Sequence, residues 1–278
     1  GSLPQALQAA GLEVVVILPA YADAVAKAGA LTPIAQLTVA GRTATLLAGY
    51  LPQTTVPVWL VDQADYFQRN GNPYHGPQGE WPDNPQRFAF FSQVVVAIAQ
   101  NQAQLNWQPD LVHCNDWPTG LVPALLALST PRPATVFTIH NLAYQGVYDR
   151  DRYHQLALPP ELWHSEGLEF HNQFSFIKGG IAFADWVTTV SPHYAQEIRM
   201  PPLGYGLDGL LRHRGQRLSG ILNGIDYQQW DPEQDPLLPA HFSVNDLSGK
   251  RANKAALQRG FGLAENPDIP LFAHIGRL

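Results

Sequence analysis

DLVHCNDWPTGLVPALLALSTPRPATVFTIHNLAYQGVY, residues 110–148, decides the fold. Two short apolar runs, Leu111-Val112 and Ala134 to Ile139, each end in polar residues: His113, Cys114, Asn115, Asp116 and Trp117 after the first, His140 and Asn141 after the second. Between them Pro118 to Leu128 is predicted helical, with Leu121, Val122, Leu125, Leu126 and Leu128 on its inner side. Strand, helix and strand in about thirty residues make a βαβ unit, whose strands are parallel neighbours. Open α/β sheets bind ligands beyond the carboxyl ends of such strands. That end is the candidate site.

Composition narrows the function. At 278 residues the chain is long enough for one large domain, or one domain plus part of another. Apolar residues at 45% can fill a sizeable core. A net charge of −6 and only four lysines argue against nucleic-acid binding as the main activity. The single cysteine, Cys114, excludes an internal disulfide and is compatible with a reducing cytosol. No run approaches the roughly 18 apolar residues of a membrane span. The aromatics suit a carbohydrate-handling surface, although ordinary core packing is the simpler reading for most of them.

Outward from the central unit, Leu3, Ala6, Leu7 and Ala10 follow a helical period closed by Gly11. Leu12 to Leu18 reads as a strand buried on both faces. Three alternating segments follow, near Leu37-Ala40, Thr43-Tyr50 and Val56-Val61, with Gly41-Arg42 as a turn; they predict antiparallel strands or a hairpin insertion. The Pro/Gly-rich loop from Asp65 to Pro85 is long enough to be functional, and Phe88 to Leu105 is helical. Beyond the unit, Gln173 to Phe183 reads as helix, Trp186 to Val190 as strand, and Ser191-Pro192 as a helix cap. A short strand at Ser219 to Leu222 leads into Asn223-Gly224-Ile225-Asp226 and a proline-punctuated connector. Lys250 to Phe261 is predicted helical, and Leu271 to Ile275 a last strand. A domain boundary falls near residue 222.

HCNDWPTGLVPALL, TIHNLAYQGVY, FADWVTTVSPHYAQEI, GILNGID and the terminal IGRL, in this order, resemble bacterial glycogen synthases and plant starch synthases. These are retaining glucosyltransferases of the two-Rossmann-domain (GT-B) type, and the resemblance covers nearly the whole chain. It implies an α/β fold. Residues 1–222 would form the Rossmann-like, parallel-sheet, glucan-side domain with an antiparallel hairpin insertion, lacking its first strand and Gly-rich loop. Residues 223–278 would be the crossover and truncated start of the second, nucleotide-sugar-binding Rossmann-like domain. The chain thus reads as a fragment.

The resemblance also assigns residues. From spacing alone, Asp116 is equally a ligand for sugar hydroxyls or a helix N-cap; the matching family aspartate lies in the cleft. His140 would contact the transferred glucose and stabilise charge at the reacting centre, and Asn141 would help hold the glucosyl group. Tyr74 and His75 match a PYH motif lining the cleft, although a tyrosine pinning its own loop fits equally. Tyr205, in GYGLDGLL, would pack beside the cleft. Asn223 would face the nucleotide-sugar, although a turn suffices for Asn-Gly. Arg277, with a lysine beyond Leu278, would neutralise the nucleotide phosphates. Lys178-Gly179-Gly180 falls in a helical pattern and reads as structural. His113 and Cys114 point to opposite strand faces and make no metal site.

The expected activity is transfer of glucose from ADP-glucose to the non-reducing end of an α-1,4-glucan, glycogen or starch, with retention. No cofactor, metal, nucleic acid or membrane is implied, and the expected location is the cytoplasm, or the plastid stroma in a plant. No pair of carboxylates marks a glycosidase. The alternatives are a UDP-glucose-dependent relative of the sucrose- or trehalose-phosphate-synthase type, and a non-catalytic glucan-binding module. By itself this chain is expected to have little or no transferase activity.

Overall fold

In the computed structural model, which describes residues 2–276, the chain divides between Asn223 and Gly224 into two units. The first begins with α1 (Leu3–Ala9) and β1 (Val16–Pro19), then α2 (Ala22–Lys27), β2 (Thr32–Val39), β3 (Arg42–Tyr50) and β4 (Pro57–Asp62). These strands form a sheet in the order β1-β4-β3-β2. β1 and β4 are parallel, whereas β2 and β3 form an antiparallel hairpin. Ala40 and Gly41 both adopt positive φ, 47° and 72°, which is the two-residue turn whose twist matches a hairpin. The turn is therefore one residue earlier than Gly41-Arg42. β4 is antiparallel to β3, as expected, and is also the parallel partner of β1, with Val58 to Val61 buried.

β1 corrects another expectation. Leu12 to Val15 stay outside it, and Leu12 and Leu18 are exposed. The reason is position. Among the described residues β1 pairs only with β4, so it is an edge strand and its apolar run is not enclosed on both sides.

The Pro/Gly-rich segment contains α3 (Ala64–Phe67) and a small hairpin, β5 (His75–Gly76) with β6 (Gly79–Glu80). Then α4 (Asn84–Ala99) starts four residues before the predicted Phe88, with Pro85 in its first turn. Phe90, Phe91, Val94 and Ile98 of α4 enter one core with Leu46 and Val61 of the first sheet and Cys114, Phe137 and Ile139 of a second.

That second sheet comes from β7 (Leu111–Asn115), α5 (Leu121–Leu126) and β8 (Ala134–Ile139), followed by β9 (Val147–Asp149), α6 (Arg150–Gln155), β10 (Glu169–Phe170), β11 (Gln173–Ser175), α7 (Phe176–Phe183), β12 (Trp186–Thr189), α8 (Pro192–Glu197), α9 (Asp208–His213) and β13 (Leu218–Gly220). Its order is β13-β12-β8-β7 and every pairing is parallel. β9, β10 and β11 make a separate antiparallel sheet. The strand β7 runs past the apolar pair through His113, Cys114 and Asn115. Cys114 faces the core, and burial pushes its thiol up to about 12. After β7, a 3-10 turn at Trp117–Thr119 precedes α5, and Leu128 lies past the helix, exposed. Gln173 to Ser175 is strand, not helix; the Ser175 hydroxyl caps α7 by accepting the Lys178 N–H at 3.3 Å.

α5 and α7 pack through glycine. A Cβ on Gly120 would lie 1.9 Å from the Phe176 carbonyl oxygen, and one on Gly179 would lie 3.0 Å from the Gly120 carbonyl oxygen. Lys178 is structural: its ammonium, whose pKa burial lowers, donates to the carbonyls of Ser165 and Glu169. A groove floored by α4 runs between the β1 and β7 edges, lined by Val15, Ile17, Leu111, Val112 and His113.

In the second unit α10 (Gly249–Gly260) ends before Gly262, at φ 66°. Asn253 anchors it by bonding both the N–H and the carbonyl of Ala240. Leu271 to Ile275 does not form the predicted strand; Phe272 and Ile275 are exposed. A lone strand without a ladder partner has nothing to satisfy its backbone. Among the described residues no helix is long and apolar enough to cross a membrane.

Asp185 ties the end of α7 to β8. Its carboxylate accepts from both terminal nitrogens of Arg132, at 2.7 and 2.8 Å, and from the Thr135 N–H and hydroxyl at 2.7 and 3.0 Å. The Arg132 bond chiefly holds this carboxyl far below the usual range. Its stabilisation is therefore present above the ordinary carboxylate pKa, about 4, and is lost as pH falls toward the folded-state value. Asp185→Asn is expected to lower the melting temperature at neutral pH, by about 1 kcal/mol equivalent since the pair is part-exposed. The gap from wild type should narrow as thermal melts are taken down from about pH 5 to pH 2; a gap independent of pH would contradict this.

Candidate active site

β7 and β8 are parallel neighbours in register, Asn115 beside Thr138. The ladder continues one residue further, where the Asp116 N–H donates to the Thr138 carbonyl at 2.9 Å. Asp116 then turns the chain with φ 55° and ψ 179°. This conformation lies close to the region that essentially only glycine populates, and holding a residue there costs about 1–3 kcal/mol. The Thr119 hydroxyl and N–H, both bonded to the Asp116 carbonyl, fix the turn from the other side.

The strained backbone aims the Asp116 carboxylate across to the end of β8. One oxygen accepts the His140 N–H at 2.7 Å and, more weakly, the Asn141 N–H at 3.4 Å. It makes no cap to its own helical turn, so the N-cap reading does not describe it. The Leu142 N–H donates to the Tyr194 hydroxyl at 3.0 Å, and the Ala143 N–H to the Asn141 side-chain oxygen at 3.0 Å. Four successive backbone donors after β8 are thus held by side chains of Asp116, Asn141 and Tyr194. The loop is rigid by hydrogen bonding, not by burial, since His140 and Asn141 are both exposed.

On one face of the sheet lie His113, Asn115, Thr138 and His140. The His113 imidazole meets the Thr138 hydroxyl at 2.6 Å, which meets the Thr188 hydroxyl at 2.6 Å. Partial burial, with His140 nearby, lowers the His113 pKa. The His140 Nε2 meets the Asn115 side-chain oxygen at 3.0 Å.

Tyr74 comes to this cluster from the loop. Its ring centroid is 5.9 Å from Trp117 and 5.9 Å from Phe88. Burial, and then the Asp116 charge, push its phenol above the ordinary range. The loop is shaped by Asn72, whose side chain accepts the N–H groups of Tyr74 and His75, and by buried Arg87, which donates to the carbonyls of Tyr66 and Pro73. His75 points away to Glu80, at 3.7 Å. Tyr205, at φ 48° and exposed, is linked to the site's loop because its carbonyl accepts from the Gln145 amide at 3.1 Å. Tyr194, its pKa raised by burial, feels both Tyr205 and Asp116. Asn223, past β13, is exposed and has no hydrogen bond to the cluster among the described residues. Arg277 lies outside the described residues.

Sequence reasoning left out Asn115, Tyr194 and Arg87 as site builders. Arg87 had a signal, a lone cation opening an apolar helix. The other two had only their motif, since their partners lie about 25 and 50 residues away in the chain. No group of three or more potential metal ligands occurs among the described residues.

A parallel sheet that offers histidine, asparagine and aspartate side by side at its carboxyl end, with aromatics beside them, is an α/β domain of the kind that binds ligands beyond the carboxyl ends of its strands. The family model of the starch synthase catalytic domain matches residues 1–213, and the chain belongs to that family. A glycogen synthase of Thioalkalivibrio sulfidiphilus is 53% identical over 281 residues, covering 100% of this chain and 58% of that protein. One of Cellvibrio japonicus is 54% identical over 280 residues, with 100% and 58% covered. Among solved structures, the catalytic domain of starch synthase IV from Arabidopsis thaliana, bound to ADP and acarbose, superposes with a TM-score of 0.77 at 31% identity, covering 95% of this chain and 55% of that one. The chain spans a little over half the length of the curated relatives it matches.

The backbone of Asp116 makes a sharp comparison available. Asp116→Ala loses the carboxylate and keeps the strain; Asp116→Gly loses the carboxylate and relieves the strain. In urea unfolding, Asp116→Gly is expected to be more stable than Asp116→Ala by about 1 kcal/mol or more. Equal stabilities would show that the positive-φ turn is not maintained.

Proposed function

We propose that this chain is the glucan-side part of a retaining glucosyltransferase that moves glucose from ADP-glucose to the non-reducing end of an α-1,4-glucan. What carries the reading is the juxtaposition of His140, Asn141, Asp116 and Tyr74 at the carboxyl end of β7 and β8, in a chain of the starch synthase catalytic domain family. Relatives called glycogen synthases, and a starch synthase neighbour bound to ADP and acarbose, support it.

In this reading the imidazole of His140 and the amide of Asn141 meet the transferred sugar. Their value is alignment: the backbone that carries them is fixed before substrate arrives, so little ordering is left for the reaction to do. Asp116 is committed to that backbone through one oxygen, and its other oxygen is assigned to sugar hydroxyls. Tyr74, half-covered against Trp117, supplies an aromatic edge on the glucan side. His75, Tyr205, Asn223 and Arg277 are assigned to binding, with Arg277 countering the charge of the leaving diphosphate. No covalent intermediate on a protein carboxylate is needed. The reaction requires no resident cofactor or metal, and the protein works in the cytoplasm.

The test is glucose incorporation into glycogen by the complete protein, supplied with ADP-glucose and, separately, UDP-glucose. Extension from ADP-glucose is expected to dominate, and His140→Ala should lower kcat/KM by about a hundredfold or more. Preference for UDP-glucose would move the protein to the alternative donor class. Glycogen binding without turnover from either donor would make it a binding module. The 278-residue chain alone should incorporate little or no glucose.

A further inference from the structure

Asn115 lies two residues after His113 on the same face of β7, exposed, with its side-chain oxygen 3.0 Å from the His140 Nε2. A neutral imidazole carries one N–H, on either ring nitrogen, and the partner of one nitrogen decides which. The amide oxygen can only accept. Its position therefore selects the form of His140 with hydrogen on Nε2 and a lone pair on Nδ1.

The rest of the site supports a fixed ring rather than a swinging one. The His140 N–H is held by Asp116 at 2.7 Å, and the residues on either side of His140 are anchored: the Ile139 carbonyl accepts the Thr189 hydroxyl at 2.7 Å, and the Asn141 side chain closes its own turn on Ala143. The neighbouring imidazole, His113, is committed to Thr138. Backbone and side chain of His140 are thus set by two consecutive residues of one strand end, Asp116 for the main chain and Asn115 for the ring.

We infer that Asn115 is a positioning residue that locks His140 in its Nε2–H tautomer, so that the nitrogen offered to the sugar is Nδ1, an acceptor for a sugar hydroxyl. This rests on the reading of His140 given under Proposed function. The consequence is chemical: the ring receives a proton-bearing hydroxyl from substrate instead of donating its own N–H, and a donor sugar whose contacting hydroxyl is replaced by an acceptor-only group binds poorly.

The experiment reads the tautomer directly. Ring-nitrogen NMR shifts are recorded on the chain labelled with the heavy nitrogen isotope in histidine, at about pH 8.5, above the ordinary imidazole range; His140→Gln assigns the signals. The wild type should show a protonated-type Nε2 and a bare Nδ1. Asn115→Ala should collapse this pair toward averaged shifts, whereas Asn115→Asp, which keeps an accepting oxygen, should preserve it. In the complete protein Asn115→Ala should lower kcat about tenfold, the equivalent of one hydrogen bond, with KM changed by less than about twofold, and Asn115→Asp should restore most of it. A wild-type Nδ1–H form, a tautomer unmoved by Asn115→Ala, or a collapsed tautomer with unchanged kcat each overturns the inference. If the wild-type protein transfers no glucose, the transferase reading fails and the spectra alone still decide what Asn115 does.

Discussion

The Asp116 carboxylate, accepting the N–H groups at the end of the neighbouring strand, is the interaction on which the site depends. It requires the main chain of Asp116 to adopt a conformation that side chains other than glycine avoid. Three bonds hold it there: its N–H to Thr138, and its carbonyl to the hydroxyl and N–H of Thr119. The stored strain is local, and what it gives is direction. A carboxylate in ordinary helix-cap geometry would face its own helix; here it crosses to β8 and fixes His140 and Asn141.

The second constraint is aromatic. Trp117 follows Asp116 and is surrounded by Tyr74, Phe88, Tyr148 and Phe176, with ring centroids 4.8 to 6.3 Å away. Gly146 lets the backbone of the next loop approach it, since a Cβ there would lie 2.3 Å from the indole. The Pro/Gly-rich loop, the turn after β7 and the loop after β8 therefore all touch one side chain. Buried Arg87 completes the arrangement by donating to loop carbonyls that have no strand partner, which is how an irregular segment satisfies its backbone. Moving any one of these loops would disturb the others.

The electrostatic character of the site follows. Its one carboxylate is engaged by backbone donors, and its two histidines are bound to neutral oxygens of Asn115 and Thr138.

Periodicity was enough to read the βαβ unit, because a short apolar run that stops at polar residues is what a buried parallel strand with an open carboxyl end requires. It also gave β12, the Ser191 cap and the helix ended by Gly262, since caps and glycine stops act over three or four residues. Expectations failed where a neighbour decides. Leu12 to Leu18 looks central and is an edge; Leu271 to Ile275 looks like a strand and has no ladder partner among the described residues. His140, Asp116, Asn141 and Tyr74 follow recognisable strand ends and motifs, so the chain alone puts them forward as candidates. How they act on one another it does not reveal. The Asp116 carboxylate reaching β8, the Tyr194 hydroxyl on Leu142 and the Asn115 oxygen on His140 all join positions far apart in the chain, and only the pairing of parallel strands, with α8 beside them, brings such donors and acceptors within 3 Å or so of each other.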